Sequence, residues 1–237
     1  MLYWLIPLII GVLLLGVFLF FRVKEQRKIA VILKGCTSLM FIATAVVAWL
    51  TSKNPNSWFG IFVIIGLFFG LLGDVFLDIK FIDTKKEHLW TVLGFFAFAA
   101  GHIFFTSGLL SYFFDFKANI LFIILPFVVT ILLVLVTLLM EKISMIRYKE
   151  MKPYVIIYGF VLFFTVTIYL SACIQTGWKI TTLDIMFGGF VAFALSDLIL
   201  NNTYFASGFN TPAFIISNHV LYYAAQFAIA VALFYLF

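Results

Sequence analysis

Eight apolar stretches, each about as long as a bilayer is thick, constrain the fold of this chain more than any other feature. They lie at residues 2–21, 29–50, 58–77, 89–110, 119–140, 154–174, 182–200 and 213–236. A helix needs about 20 mostly apolar residues to cross the hydrocarbon core of a membrane. The connecting segments are short and contain no Pro- or Ser-rich linker. We therefore expect an all-α integral membrane protein in which eight transmembrane helices form a single domain over residues 1–237.

The amino-acid composition supports a membrane location and excludes an ordinary soluble domain. Hydrophobic residues make up 65% of the chain and charged residues 11%, and the mean hydropathy is +1.20. Soluble domains are about half apolar and about a quarter charged. The two cysteines, Cys36 and Cys173, both lie inside apolar stretches, so we expect no disulfide framework. In a bacterial cell, such a multi-pass protein is expected in the plasma (inner) membrane.

The basic residues of the loops predict how the helices are oriented. The loops that follow odd-numbered stretches contain eleven basic residues, and those that follow even-numbered stretches contain three. Since cytoplasmic loops are enriched in Lys and Arg, the odd-numbered loops are expected in the cytoplasm and both termini outside. The first group consists of Arg22, Lys24, Arg27, Lys28, Lys80, Lys85, Lys86, Lys142, Arg147, Lys149 and Lys152, and the second of Lys53, Lys117 and Lys179.

The net charge of +5 follows from these loops. Basic loops set the orientation and contact anionic headgroups, so membrane lipids are expected partners. Binding to nucleic acid is not expected, because the basic residues are spread over three short loops. The first apolar stretch has basic residues after it and none before it, which favours a retained helix over a cleaved signal peptide.

Several ionisable residues occur inside the apolar stretches. They are Lys34, Asp74, Asp78, His102, Asp184, Asp197 and His219. A charge at the centre of a bilayer costs about 2.5–3.5 kcal/mol, so Lys34, Asp74 and Asp197 are expected to turn inward and contact each other or water. Asp184 is expected at the external interface, and Asp78 fits a cytoplasmic interface residue. As alternatives, Lys34 extends to the headgroups, the histidines are packing residues, and the aspartates form a structural salt bridge.

The depths of these residues indicate a common location. At a rise of about 1.5 Å per residue, four of them fall in one slab of the cytoplasmic half of the membrane, and His102 lies nearer its centre. The four are Lys34, Asp74, Asp197 and His219. Small residues that permit close helix packing flank the acids, which favours positions at helix seams over positions facing lipid. They are Gly66, Gly70 and Gly73, then Gly94, Gly101 and Gly108, then Gly188, Ala192 and Ser196.

The two halves of the sequence resemble each other, which predicts an internal duplication. LGDVFLD at 72–78 is similar to LSDLILN at 195–201, and KIAVILKG at 28–35 is similar to KPYVIIYG at 152–159. The offsets of 123 and 124 residues are close to half of the chain. A four-plus-four parallel repeat about an axis along the membrane normal would place Asp74 and Asp197 at equal depth, facing each other.

A pair of aspartates inside the membrane predicts acid–base chemistry. Two carboxylates in a low-dielectric site cannot both ionise cheaply, so one is expected to keep its proton. An acid beside a base suits hydrolysis, in which one group donates a proton and the other orients water. The sequence contains no GxSxG or HExxH motif, so a serine nucleophile or zinc has little support and no cofactor is expected. The alternative is a metal held by His102, His219 and the two aspartates.

Four short motifs carry a resemblance to a known family. They are GDVFL at 73–77, GHIFF at 101–105, FALSDLIL at 193–200 and LYYAAQ at 221–226. In this order they resemble motifs of the YhhN family of membrane proteins, which includes the lysoplasmalogenases. The resemblance extends over essentially the whole chain. It implies a lysophospholipid substrate, namely a lysoplasmalogen, whose vinyl ether bond is hydrolysed to a fatty aldehyde and a glycerophospho-alcohol.

The resemblance and the acid–base argument together give candidate site residues. Asp74 and Asp197 are the catalytic candidates, and Lys34 is a candidate partner for the substrate phosphate or for the carboxylates. The substrate-binding candidates are Lys34, Asp78, His102, His219, Tyr222 and Gln226. Two other functions stay open. A proton-coupled transporter also contains intramembrane Asp, Lys and His and often a parallel repeat, and a lipid-binding membrane protein would carry out no chemistry.

Overall fold

The computed structural model describes residues 2–55, 57–112, 120–143 and 146–236. The described residues form eight long helices, and every one of them is long and apolar enough to cross a membrane. They are α1 (Leu5–Val23), α2 (Arg27–Leu50), α3 (Trp58–Ile79), α4 (Glu87–Tyr112), α5 (Leu121–Ile143), α6 (Lys152–Gln175), α7 (Thr181–Phe205) and α8 (Pro212–Ala232). The predicted all-α architecture, with eight helices long and apolar enough to span a membrane, is thereby confirmed for the described part of the chain.

Most helix ends lie within a few residues of the predicted ones, and α7 is the main exception. It continues to Phe205, beyond the predicted end at residue 200. Its polar last turns are tied to the segment before α6: Asn201 donates a hydrogen bond to the Tyr148 hydroxyl, and the Arg147 backbone N–H donates to the Phe205 carbonyl. Residue 119, the predicted start of the fifth helix, and Lys117 lie outside the described residues.

Glycines bring α3 and α4 into close contact, as their spacing predicted. A Cβ added at Gly101 would lie 2.9 Å from the carbonyl oxygen of Gly66, so the two backbones nearly touch. On α7 the prediction named the wrong glycine. Gly188 is exposed with open space around it, whereas Gly189 packs on α8, where a Cβ would lie 3.3 Å from the Ala225 carbonyl oxygen. The spacing of small residues on α7 was compatible with either Gly188 or Gly189 facing the neighbouring helix.

The helices pack in equivalent pairs in the two halves of the chain. Sequence neighbours α1/α2, α3/α4, α5/α6 and α7/α8 form antiparallel hairpins. The contact of α2 with α3 has a counterpart in α6 with α7, and that of α4 with α6 has a counterpart in α8 with α2. This pattern agrees with the predicted duplication, which stays a prediction. The loops α1–α2, α3–α4, α5–α6 and α7–α8 lie together at one end of the bundle, here called the cavity end.

Candidate functional site

A polar cavity of about 620 Å³ penetrates the bundle from the cavity end. Residues of α2, α3, α4, α7 and α8 line its interior, and the loops of the cavity end form its rim. Acidic and basic side chains both line the cavity. The acidic residues are Asp74, Asp78, Glu87 and Asp197, and the basic residues are Arg22, Lys34, Lys80 and Lys85.

Asp74 is the most heavily hydrogen-bonded carboxylate of the cavity. It lies on α3 directly after Gly73 and is 1% exposed. The Ser38 hydroxyl donates to its Oδ2 over 2.6 Å, and the Tyr222 hydroxyl donates to the same oxygen over 2.7 Å. Its Oδ1 lies 3.3 Å from Nζ of Lys34. Buried charges require this kind of pairing, so these contacts favour the ionised carboxylate.

Lys34 bridges two carboxylates one helical turn apart on α3. Its Nζ lies 3.1 Å from Asp78 Oδ1, in addition to the contact with Asp74. The side chain is buried, so the alternative in which Lys34 extends to the lipid headgroups is wrong. Asp78, in the last turn of α3, is also buried within the bundle, at 2% exposure, and its Oδ2 faces Arg22 Nη1 at 3.8 Å. Asp78, one helical turn after Asp74, is therefore the second carboxylate that pairs with Lys34.

Asp197 has a different set of contacts from Asp74. The Tyr158 hydroxyl, on α6, donates a hydrogen bond to its Oδ2. Among the described residues Asp197 forms no ion pair. It is only half-buried, and it lies close enough to Asp74 for the two carboxyl groups to interact electrostatically. The two aspartates thus share one cavity, with a cation beside the first and a neutral phenol beside the second.

Of the neutral hydroxyls near Asp74, that of Tyr222 was expected from the sequence, and those of Ser38 and Tyr223 were not. Ser38 lies one turn after Lys34 on α2 and shares a hydrogen bond of 3.0 Å with the Tyr223 hydroxyl. Tyr222 was predicted as a binding residue, and Gln226, one turn later, donates to its hydroxyl over 2.8 Å. Gln226 therefore does not line the cavity but orients a residue that does. The i, i+4 spacing from Lys34 was the available signal for Ser38.

The two intramembrane histidines occupy unlike positions. His219 lines the cavity, with its Nδ1 at 2.7 Å from the Ile215 carbonyl oxygen and its ring edge against Phe18. His102 does not line the cavity and packs among aromatic rings, with the Phe193 ring centroid at 4.8 Å. Among the described residues its two ring nitrogens have no hydrogen-bond partner. This placement fits the packing alternative for His102.

The alternative of a metal site has no geometric support in the described ranges. Within them, no group of three or more His, Cys, Asp and Glu side chains is placed to hold a metal ion. The four proposed ligands do not converge on one point: the two aspartates and His219 line the cavity, and His102 lies outside it.

Lys80 places a buried cation at the rim of the cavity. It directly follows α3, is 5% exposed, and holds its Nζ 3.4 Å from the centroid of the Tyr204 ring. No described carboxylate forms an ion pair with it. Burial lowers the pKa of the Lys80 ammonium to about 7, although Glu87 and Asp78 act in the opposite direction. An anion in the cavity would stabilise the charged form. From the sequence alone, Lys80 is identified only as a basic loop residue.

A second, apolar depression adjoins the cavity on the side of the bundle. This lateral groove lies among α4, α5, α6 and α7, and most of its lining is hydrocarbon or aromatic. Asp197, Leu200, Tyr204 and Phe205 line both the cavity and the groove. Tyr158 belongs to the groove alone. Asp197 therefore stands at the junction of a polar space and an apolar one.

The fold and the cavity together define a multi-pass α-helical membrane protein with a charged cavity at one end of its bundle. The chain belongs to the YhhN family, whose family model matches residues 29–233. The match includes every cavity residue described above except Arg22. No curated protein and no solved structure matches the chain.

Proposed function

We propose that this protein is a membrane-embedded hydrolase that cleaves the vinyl ether bond of a lysoplasmalogen to a fatty aldehyde and a glycerophospho-alcohol. The observation that carries the proposal is the pair Asp74 and Asp197, two carboxyl groups that line one cavity with opposite kinds of partner. Such a pair supplies an acid and a base at the same pH. Membership of the YhhN family is consistent with a hydrolase.

The contacts favour distinct roles for the two aspartates. Lys34, Ser38 and Tyr222 stabilise negative charge on Asp74, which makes it the candidate base. Asp197 accepts a hydrogen bond from the Tyr158 phenol, forms no ion pair among the described residues, and adjoins the apolar groove, where a neutral carboxylic acid is the cheaper form. Asp197 is therefore the candidate acid.

In the proposed reaction, Asp197 transfers its proton to the outer carbon of the vinyl ether. The carbon bonded to oxygen becomes an oxocarbenium ion, which the Asp74 carboxylate stabilises through its charge. A water from the cavity attacks this carbon while Asp74 accepts one of its protons. The resulting hemiacetal breaks its bond to the glycerol oxygen, which takes the proton from Asp74. The hydroxyl proton of the hemiacetal returns to Asp197, so one water is consumed and both carboxyl groups are restored.

We assign the headgroup phosphate to the rim of the cavity rather than to Lys34. The Lys34 Nζ already forms ion pairs with Asp74 Oδ1 at 3.3 Å and with Asp78 Oδ1 at 3.1 Å. Lys80 and Lys85 line the rim and form no ion pair with any described carboxylate. A phosphate between these two amines would stay close to the aqueous phase, as a lipid headgroup does.

The proposal is tested with purified protein in detergent micelles and two choline lysophospholipids, one with a vinyl ether and one with an ester. The vinyl ether is expected to release aldehyde, and the ester is expected to release no fatty acid. In heavy water, trapping the aldehyde by rapid reduction should reveal one deuterium on the carbon next to the former carbonyl. Intact substrate after prolonged incubation contradicts the proposal. Uptake of the same lipid into proteoliposomes without aldehyde would instead indicate a transporter.

A further inference from the structure

We propose that the lateral groove binds the first carbons of the substrate's hydrocarbon chain and that Asp197 stands between this chain and the headgroup. The inference rests on the proposed function for the identity of the chain. It assigns a ligand to the groove, which enters the proposed reaction only as the apolar surroundings of Asp197. The occupant is the alkenyl chain of a single-chain phospholipid whose phosphate lies at the rim of the polar cavity.

The chemistry of the groove fits a hydrocarbon and little else. Val155, Leu162 and Phe163 line it from α6, and Ala194 and Leu198 line it from α7. Its polar groups lie mainly where it meets the cavity, at Asp197 and at Asn201 near the end of α7. From Val155 to Phe163 the groove extends about 12 Å along α6 at about 1.5 Å per residue. A chain that enters at Asp197 can therefore run away from the cavity between two helices.

The size of the groove limits the site to the proximal part of the chain. Its volume is about 70 Å³, which is only about twice the volume that one water molecule occupies in the liquid. The carbons nearest to the vinyl ether would lie in the groove, and the remaining chain would continue into lipid past the exposed side of Leu198. This arrangement places the vinyl carbons beside Asp197, the candidate proton donor.

The distribution of charge favours one orientation of the lipid, with its headgroup in the cavity and its chain in the groove. The cavity rim contains two amines, Lys80 and Lys85, beside one acid, Glu87, whereas the groove lining contains no Lys or Arg. A phosphate is therefore attracted to the cavity and a chain to the groove. The four residues common to both linings form the passage between the two spaces, so one molecule can occupy both.

Gly159 offers a way to fill the groove without touching the carboxyl groups. A Cβ added there meets only Phe163, at 4.0 Å, so a larger side chain has room to extend into the groove. Gly159→Phe should therefore exclude the chain. Gly188→Phe is the matched control, because Gly188 is exposed on α7 with nothing within 4 Å of an added Cβ. Ala194→Leu enters the groove from α7 and provides a second blocking variant.

The kinetic test compares two vinyl ether phosphocholines, one with a sixteen-carbon alkenyl chain and one with a two-carbon vinyl group. For Gly159→Phe and Ala194→Leu, the ratio of long-chain to two-carbon kcat/KM should fall about tenfold, as expected for about two methylene groups removed from the protein. Gly188→Phe should leave the ratio within about twofold. An unchanged ratio in both blocking variants would overturn the inference.

A binding test separates failure of the groove from failure of the proposed function. The probe is a non-hydrolysable alkyl ether of lysophosphocholine with a diazirine close to the ether. Photolysis should label α6 within Val155–Phe163 or α7 within Ala194–Asn201, and Gly159→Phe should abolish that label. Labelling confined to other helices contradicts the groove even if aldehyde is released. Labelling of the groove by a protein that hydrolyses no vinyl ether supports the site and rejects the proposed activity.

Discussion

The Tyr158 hydroxyl donates a hydrogen bond to Asp197, and the Lys34 ammonium forms an ion pair with Asp74. The sequence alignment pairs position 34 with 158 and position 74 with 197. Helix α2 thus supplies a cation to the acid on α3, and α6 supplies a phenol to the acid on α7. At this aligned position the two halves differ, since the first has a lysine and the second a tyrosine. The two acids therefore have different partners, one charged and one neutral.

Removing either carboxyl group should strongly impair hydrolysis. Asp74→Asn and Asp197→Asn preserve size and polarity but cannot transfer the proton. Each is expected to lower kcat by at least ~10²-fold, the usual scale for an acid–base group. The double variant should lose little more than either single variant, because groups that act together are not additive. Aldehyde release in micelles is the measurement, and near-normal turnover by a folded Asp197→Asn protein would show that the carboxyl groups are structural.

Tyr158 is expected to act as a positioning residue for Asp197. Tyr158→Phe removes one hydrogen bond and should lower kcat by up to about tenfold with little change in KM, since one such bond contributes about 0.5–1.5 kcal/mol. The pH profile of kcat should also shift, which a purely structural loss would not cause. Tyr154→Phe is the matched control, one turn earlier on α6, where the ring packs against Phe96. Equal effects of the two variants would count against the role.

Lys34 is expected to contribute to stability as well as to activity. Lys34→Met leaves Asp74 and Asp78 buried without their common cation, and removal of one partner from a buried ion pair costs about 3–5 kcal/mol. A clear fall in Tm in detergent is expected. Adding Asp78→Asn should recover part of it, because one unpaired charge is then removed. Lys28→Met, at an exposed lysine on the same helix, should leave Tm unchanged. An unaltered Tm for Lys34→Met would mean that water replaces the amine.

The sequence predicted the charged side chains of the site, whose burial costs free energy, and missed the neutral ones, whose burial costs little. Eight spans follow from length and hydropathy alone, and the convergence of Lys34 with Asp74 follows from the cost of charge in a membrane. Ser38 and Tyr158 carry no charge and sit in helices without penalty, so their only signals were indirect: the i, i+4 spacing of Ser38 from Lys34 and the alignment of Tyr158 with Lys34. The grouping of Lys34, Asp74, Asp197 and His219 at one end of the bundle was predictable from their positions along the helices. The direction in which His102 faces about its helix was not.

The orientation in the membrane is predicted from the basic loops and gives a direct labelling experiment. In a background with Cys36→Ser and Cys173→Ser, a membrane-impermeant maleimide applied to intact cells should modify Lys53→Cys and spare Lys86→Cys. Both lysines are exposed in loops at opposite ends of the bundle. Permeabilising the cells should make Lys86→Cys reactive. The reverse pattern would place the cavity end outside and contradict the predicted topology.

Lys80 should make phosphate binding sensitive to pH. Burial lowers the pKa of its ammonium to about 7, so the amine is charged below that pH and becomes neutral above it. A phosphodiester keeps its single negative charge over this range, and a choline headgroup does not titrate. The Kd of a non-hydrolysable alkyl ether lysophosphocholine should therefore rise with pH, by up to about tenfold at one unit above the pKa. Calorimetry in detergent micelles from pH 6 to pH 8 measures this change.

Two variants of Lys80 separate its charge from its packing on Tyr204. Lys80→Arg keeps a cation that does not titrate in this range, so its Kd should stay low and independent of pH. Lys80→Met keeps the apolar stem without the charge, so its Kd should be high and equally independent of pH. Lys86→Met, at an exposed lysine outside the cavity lining, should retain the pH dependence of the native protein. If the native protein and Lys80→Met respond alike to pH, the phosphate is held by other groups.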